Sequence, residues 1–84
     1  MMSPDLDNLT IVQVAQFFRL ECDAVRGADS EGEQRPHRVA RDRAWAMLWA
    51  HAMVEAWTEV TDYEREVCDR GHLAGRWLEE HLGL

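Results

Sequence analysis

Lysine is absent from this chain of 84 residues, and all nine basic side chains are arginine. The plainest reading of that bias is a GC-rich coding sequence, since arginine has several GC-rich codons. Cysteine is scarce: Cys22 and Cys68 are too few for the disulfide framework of a small secreted domain, so free thiols in a reducing cytosol are expected. No segment combines a basic start, an apolar stretch and a small-residue cleavage site, which points to a cytoplasmic protein. The longest nearly uncharged run, 44–54, is too short to span a bilayer and contains His51. Nucleophile elbow, phosphate loop, HExxH and paired CxxC motifs are all missing. No catalytic residue, metal or cofactor is therefore assigned, and the chain reads as non-enzymatic.

What is present is a 46% hydrophobic content in one short chain, enough for a core. Residues 1–84 read as a single domain near the lower size limit for independent folding, where a partner or self-association often supplies the missing burial. The net charge of −7 opposes direct contact with nucleic acid or an anionic membrane, since both are polyanions. It favours a basic partner. The charge is uneven: Arg35, Arg38, Arg41 and Arg43, with Asp42 among them, form one basic spot, while five arginines face fifteen carboxylates elsewhere.

The residue pattern is helical throughout. After a polar lead-in, 1–8, the Thr10–Gln13 spacing fits a capping box, and Ile11, Val14, Ala15, Phe18, Cys22 and Val25 repeat on one stripe. Helix 1 is expected over about 11–26, with Gly27 as its stop, and 27–36 is read as an acidic loop. Helix 2, about 37–60, has a narrow polar strip that includes Arg41, Ala44, His51 and Glu55, and is otherwise too apolar for a surface helix. Trp45, Trp49, Met53 and Trp57 step by four along its heaviest ridge, while Met47 and Val54 lie on the opposite flank. A second box, Thr61–Glu64, starts helix 3, about 62–82, unless helices 2 and 3 form one continuous rod. Its buried stripe is Tyr63, Val67, Gly71, Ala74, Leu78 and Leu82, with Gly75 and Trp77 at the edges.

Several constellations bear on chemistry. Cys68 and His72 are four apart and could bite a metal with Cys22 or His51, but Cys22 falls on the core stripe of helix 1, where thiols act as small hydrophobes. His51 and Glu55 share a helix face at i, i+4, the spacing of an ordinary stabilising pair. Residues 9–18 look like the first helix of some helix-turn-helix proteins, without the short turn and basic recognition helix that should follow. The arginine spot is the most suggestive. Placed at the first turn of helix 2, four cations oppose the positive helix end and call for an anion, from nearby Asp29, Glu31, Glu33 and Glu21 or from a phosphate or nucleotide.

These readings converge on an all-α, compact three-helix bundle, with helix 2 packed between helices 1 and 3 and self-association, as a homodimer, through helix 2 or helix 3. Trp45, Met47, Trp49, Met53, Val54, Trp57 and Trp77 are the expected core or interface. The expected function is a regulator or inhibitor that docks on a larger, basic, nucleic-acid-handling protein, with carboxylates standing where phosphates would sit. Small phage and mobile-element inhibitors, anti-CRISPR proteins among them, fit this physical description by size, charge and helicity, with no shared motif. Two alternatives remain: a small anionic ligand held by Arg35, Arg38 and Arg41, and a structural subunit of a larger assembly.

Overall fold

A computed structural model describes residues 6–84, so residues 1–5 of the lead-in lie outside the described residues. The described chain is helical and contains no strand. It has four α-helices where three were expected: α1 (Ile11–Gly27), α2 (Glu31–Glu59), α3 (Asp62–Val67) and α4 (Arg70–Leu82). A 3-10 turn, Leu6–Asn8, precedes them and buries Leu6. The chain divides into two compact units, Met1–Met47 and Leu48–Leu84, with the division inside α2.

In the first unit, the capping box at Thr10 is complete. Thr10 Oγ1 accepts from the Gln13 N–H at 3.2 Å, and Gln13 Oε1 accepts from the Thr10 N–H at 2.9 Å, so two orphan donors of α1 are satisfied reciprocally. The stripe of α1 points inward, with Val14 and Ala15 fully buried. Burying a valine side chain stabilises by roughly 1.5–3 kcal/mol. Three contacts set the direction of α2 against α1. Gln34 Nε2 donates to the Val25 carbonyl at 3.1 Å, His37 Nδ1 meets Glu21 Oε2 at 2.6 Å, and Phe18 stacks on Trp45 with centroids 4.9 Å apart. As α2 ascends, its partners on α1 descend, which makes an antiparallel helical hairpin. The Gln34 bond also satisfies one of the last carbonyls of α1.

The expected loop 27–36 shrinks to three residues, because α2 begins at Glu31 rather than near His37. Ser30 Oγ accepts from the Glu33 N–H at 3.2 Å, and the Glu33 carboxylate returns to the Asp29 N–H at 3.2 Å. Pro36 consequently sits inside the helix, where it forfeits one intrahelical bond, to the Gly32 carbonyl. The buried line of α2 also differs from expectation. It runs Ala44, Leu48, Ala52 and Ala56, each at most 3% exposed. Ala44, expected on the polar strip, is thus core, and the tryptophan ridge is turned about 100° from the buried line, one residue further on. Trp45 is exposed, Trp49, Met53 and Trp57 are half-buried, and so is Met47. Small residues along the buried line let neighbouring backbone come close, while the large rings flank the contact.

In the second unit, α4 buries Leu73, Ala74, Trp77 and Leu78. Trp77 is stacked on His81 with centroids 4.5 Å apart, and His51 tilts against it at 5.2 Å. The expected close approach of a tryptophan to a helix 3 glycine is present at one position: a Cβ added to Gly75 would stand 3.6 Å from Trp49 Cη2. Gly83, at φ 70°, takes the left-handed conformation that ends α4 and returns the Leu84 N–H to the Leu78 carbonyl at 3.2 Å.

Expected helix 3 is two helices because Asp69 starts a new one. Its carboxylate accepts from the His72 N–H at 3.0 Å, while the Cys68 N–H closes α3 on the Glu64 carbonyl at 2.9 Å. The break alters the fate of the stripe: Ala74 and Leu78 are buried, but Tyr63 and Val67, on the other side of the break, are 72% and 59% exposed. Among the described residues no helix is long and apolar enough to cross a membrane.

Candidate interaction surface

α3 contains no buried residue, and its polarity is inverted relative to an ordinary amphipathic helix. It starts on Thr61, whose Oγ1 accepts from the Glu64 N–H at 3.2 Å. The residues that attach it are charged. Arg65 Nε donates to the Trp57 carbonyl at 2.9 Å and Nη2 to the Thr58 carbonyl at 3.3 Å, while Nη1 reaches Asp62 at 2.7 Å. α2 has no basic residue in its own last turn, so Arg65 supplies from outside the cation that its terminal carbonyls favour. On the neighbouring side of α3, Glu64 pairs with Arg76 of α4 at 2.7 Å. The Arg76 hydrogen bond holds the Glu64 carboxyl below the usual glutamate value, and the same bond raises Arg76.

The solvent side of α3 carries Asp62, Tyr63, Glu66 and Val67, all exposed. On a helix with 100° per residue, Tyr63 and Val67 stand about 40° apart, with Asp62 and Glu66 along one flank. Tyr63 makes no hydrogen bond or ring contact with any described residue. An apolar pair framed by acids thus faces outward on a helix held by its ions.

The surrounding charge has one sign. Unit Leu48–Leu84 has eight carboxylates and three arginines, a balance of −5, against eight carboxylates and six arginines, −2, in Met1–Met47. All three of its arginines are engaged within the unit: Arg65 and Arg76 as above, and Arg70 with its guanidinium 4.5 Å from the Trp57 ring centroid. An open pocket of about 160 Å³ lies beside α4, lined by the apolar Ala56, Leu73 and Trp77 and by the polar Glu59, Glu80 and His81 among others. It is about the size of a cavity that holds benzene and well below the size of a site for a drug-sized ligand. The buried Trp77 indole N–H has no hydrogen-bond partner. Because that nitrogen is itself inaccessible, it does not open onto the pocket.

The arginine spot lies elsewhere than expected on its helix. Glu31 and Glu33 occupy the first turn of α2, where they complement the positive helix end. Arg35, Arg38, Arg41 and Arg43 follow from the second turn onward, so the reason for expecting an anion among them no longer applies. Steps of three residues spread Arg35, Arg38 and Arg41 around the helix, about 60° apart, and Arg43 falls about 160° from Arg41. Arg38 reaches the Gln34 side-chain oxygen, and Arg41 pairs with Asp42 at 3.1 Å. Of the nearby acids, Glu21 takes His37 rather than an arginine. Val54, expected to need cover, is exposed, and Trp77 is core.

Cys68 caps the end of α3, half-buried, His72 lies exposed in the first turn of α4, and no group of three or more His, Cys, Asp or Glu among the described residues is arranged to hold a metal ion. His51 lies against Trp77. Sequence reasoning missed α3 as a separate helix, although Asp69 is the kind of residue that starts one. The chain matches no protein-family model, and no curated protein and no solved structure is similar to it.

Proposed function

We propose that the chain is an acidic protein-interaction module, a regulator or inhibitor that docks on a larger, basic, nucleic-acid-handling protein, as small phage and mobile-element inhibitors such as anti-CRISPR proteins do. The observation that supports this reading is the charge economy of Leu48–Leu84. Its three arginines are consumed internally, and Glu55, Glu66 and Glu79 have no ion-pair partner among the described residues. Such a surface raises the encounter rate with a basic partner and repels polyanions. Carboxylates spaced on helices offer a basic groove the sign of charge that phosphates would bring.

The test is affinity purification of the full chain from its native host, with mass spectrometry and a solution mass measurement. The expected result is capture of a basic, nucleic-acid-handling protein, with binding that weakens steeply as salt rises past the Debye regime of about 0.1–0.15 M. Capture that is indifferent to salt, or a chain that associates only with itself, overturns the proposal.

A further inference from the structure

We infer that the outward face of α3 is the docking face, with Tyr63 as its anchor, Val67 beside it and Asp62 and Glu66 as its rim, and that it fits an apolar socket bordered by arginine or lysine on the partner. The inference rests on the proposed function and names the surface that carries it.

Three observations lead here. The first is the inversion of α3. A helix that merely connected α2 to α4 would be expected to turn Tyr63 and Val67 toward the interior and its charges to water, yet Arg65 and Glu64 make its attachments and the apolar pair is exposed. The second is residue type. Tyrosine combines a large, rigid ring with few rotatable bonds and is enriched among residues that dominate interface energetics, whereas valine and leucine are under-represented there. Tyr63, 72% exposed, has no hydrogen bond or ring contact with a described residue to lose on docking. The other exposed large apolar residues, Val12 and Leu20 on α1 and Val39 and Val54 on α2, are aliphatic, apart from Trp45, which already stacks on Phe18.

The third is charge. Glu66 is exposed and has no ion-pair partner among the described residues, and Asp62, 97% exposed at its side chain, shares its carboxylate with Arg65 at 2.7 Å, in a unit whose net charge is −5. The rim therefore selects a basic border around the socket, and an acidic surface, including a second copy of this same face, would be repelled. A polar rim around one aromatic anchor is the anatomy of a protein interface rather than of a small-molecule site.

Site-specific photo-crosslinking in the native host tests this on the full chain. p-Benzoylphenylalanine is placed at Tyr63, at Val67 and, as a control exposed to a similar degree, at Leu20 of α1. The expected result is one covalent adduct from positions 63 and 67, none from position 20, with a basic protein in the adduct. Binding of that protein, once purified, is expected to weaken about 30-fold or more for Tyr63→Ala, the size of an interface hot spot. A few-fold loss is expected for Val67→Ala and none for Leu20→Ala, with circular dichroism unchanged in all three.

An adduct with the mass of two copies assigns the face to self-association and overturns the inference, as does an adduct with an acidic or neutral protein. If purification recovers a basic partner but only position 20 crosslinks to it, the docking face is wrong while the proposed function stands. If no partner is recovered and no position crosslinks, both fall together.

Discussion

α1 and α3 begin alike and end as opposites. Each starts on a threonine followed three residues later by Gln13 or Glu64, and each carries apolar residues at i, i+4 spacing. In α1 the glutamine returns to the threonine N–H, the box closes, and the apolar stripe turns inward to bury Val14 and Ala15. In α3 the glutamate carboxylate goes to Arg76 and to the Thr61 hydroxyl rather than to the threonine N–H, no residue is buried, and the apolar pair faces water. Identical start signals therefore fix where a helix begins but leave open which side is inside. That is decided by what else grips the helix: side-chain burial for α1, and Arg65 and Glu64 for α3.

The comparison breaks most visibly in the cores. Leu73→Ala removes a fully buried side chain from α4 and should destabilise by about 2–5 kcal/mol in urea or guanidinium titration. Val14→Ala, at the centre of the α1 stripe, should cost about 2 kcal/mol by the same measurement, since fewer methyl groups are lost. No substitution on the outward side of α3 should approach either figure. A loss above 2 kcal/mol for Tyr63→Ala would show that α3 is held by its apolar residues after all.

Capping sharpens the contrast at a smaller scale. Thr10→Ala should cost about 1 kcal/mol, because an unfilled cap loosens a helix whose stripe is core. Thr61→Ala should fray α3 without moving the global transition by more than about 0.5 kcal/mol, since nothing buried follows it. Amide exchange, fast in 62–67 and unchanged elsewhere, would locate the effect. A similar magnitude is expected with the opposite sign at Gly75. An added Cβ meets Trp49 at an ordinary 3.6 Å, so Gly75→Ala should stabilise α4 by about 0.5–1 kcal/mol through helix propensity. Gly71→Ala should gain less, because its Cβ would press on the capping Asp69 carboxylate at 3.1 Å.

These contrasts also explain which parts of the fold were legible beforehand. α1 could be read because its cap and stripe agree; Gly27, expected as its stop, is the helix's last residue, and the chain leaves the helix at Ala28 in extended backbone. The start of α2 was hidden by composition: Ser30 and Glu33 have the capping spacing, but Gly32 and Pro36 around them carry the marks of a loop. Its buried line, Ala44, Leu48, Ala52 and Ala56, lies one residue before the bulkiest ridge, and side-chain volume alone points to the tryptophans. Closely packed helices put alanine at the contact and leave rings at its margin, and periodicity alone does not choose between adjacent i, i+4 lines. The α3–α4 break rests on one carboxylate at Asp69, which leaves no trace in apolar spacing. Joined across that break, Tyr63 and Val67 share a stripe with Ala74 and Leu78 and look buried. The candidate docking face is thus invisible to periodicity, since it is made of residues that periodicity assigns to the core.

The ion pair that fastens α3 gives a test in pH. Glu64 titrates below the usual 4.5 because Arg76 favours its charged form. A carboxyl lowered in the folded state contributes stability that is complete above the unfolded value and is lost as pH falls through the folded one. Denaturation midpoints should therefore fall between pH 5 and the acid side of 4.5, and Arg76→Met should flatten that part of the profile while leaving the neutral region nearly unchanged. Both groups are solvent-accessible, so the effect should shrink in high salt. An unchanged acid slope in Arg76→Met would remove Glu64 from the attachment of α3.

The smallest expected change separates the two helices best. Tyr63→Ala and Val67→Ala, alone or together, should leave the unfolding transition within about 0.5 kcal/mol of the parent, because both side chains are already in water in the folded state. The matching change on α1, Phe18→Ala, removes the ring stacked on Trp45 and should cost several times more. A near-zero result for α3 would mean that a large aromatic is kept on the surface at no benefit to folding. Tyr63 is then free to serve as an anchor without cost to folding, and the crosslinking and Tyr63→Ala binding measurements decide whether it does. A substantial loss would place Tyr63 among the residues that hold the helix and remove the physical basis for treating it as an anchor.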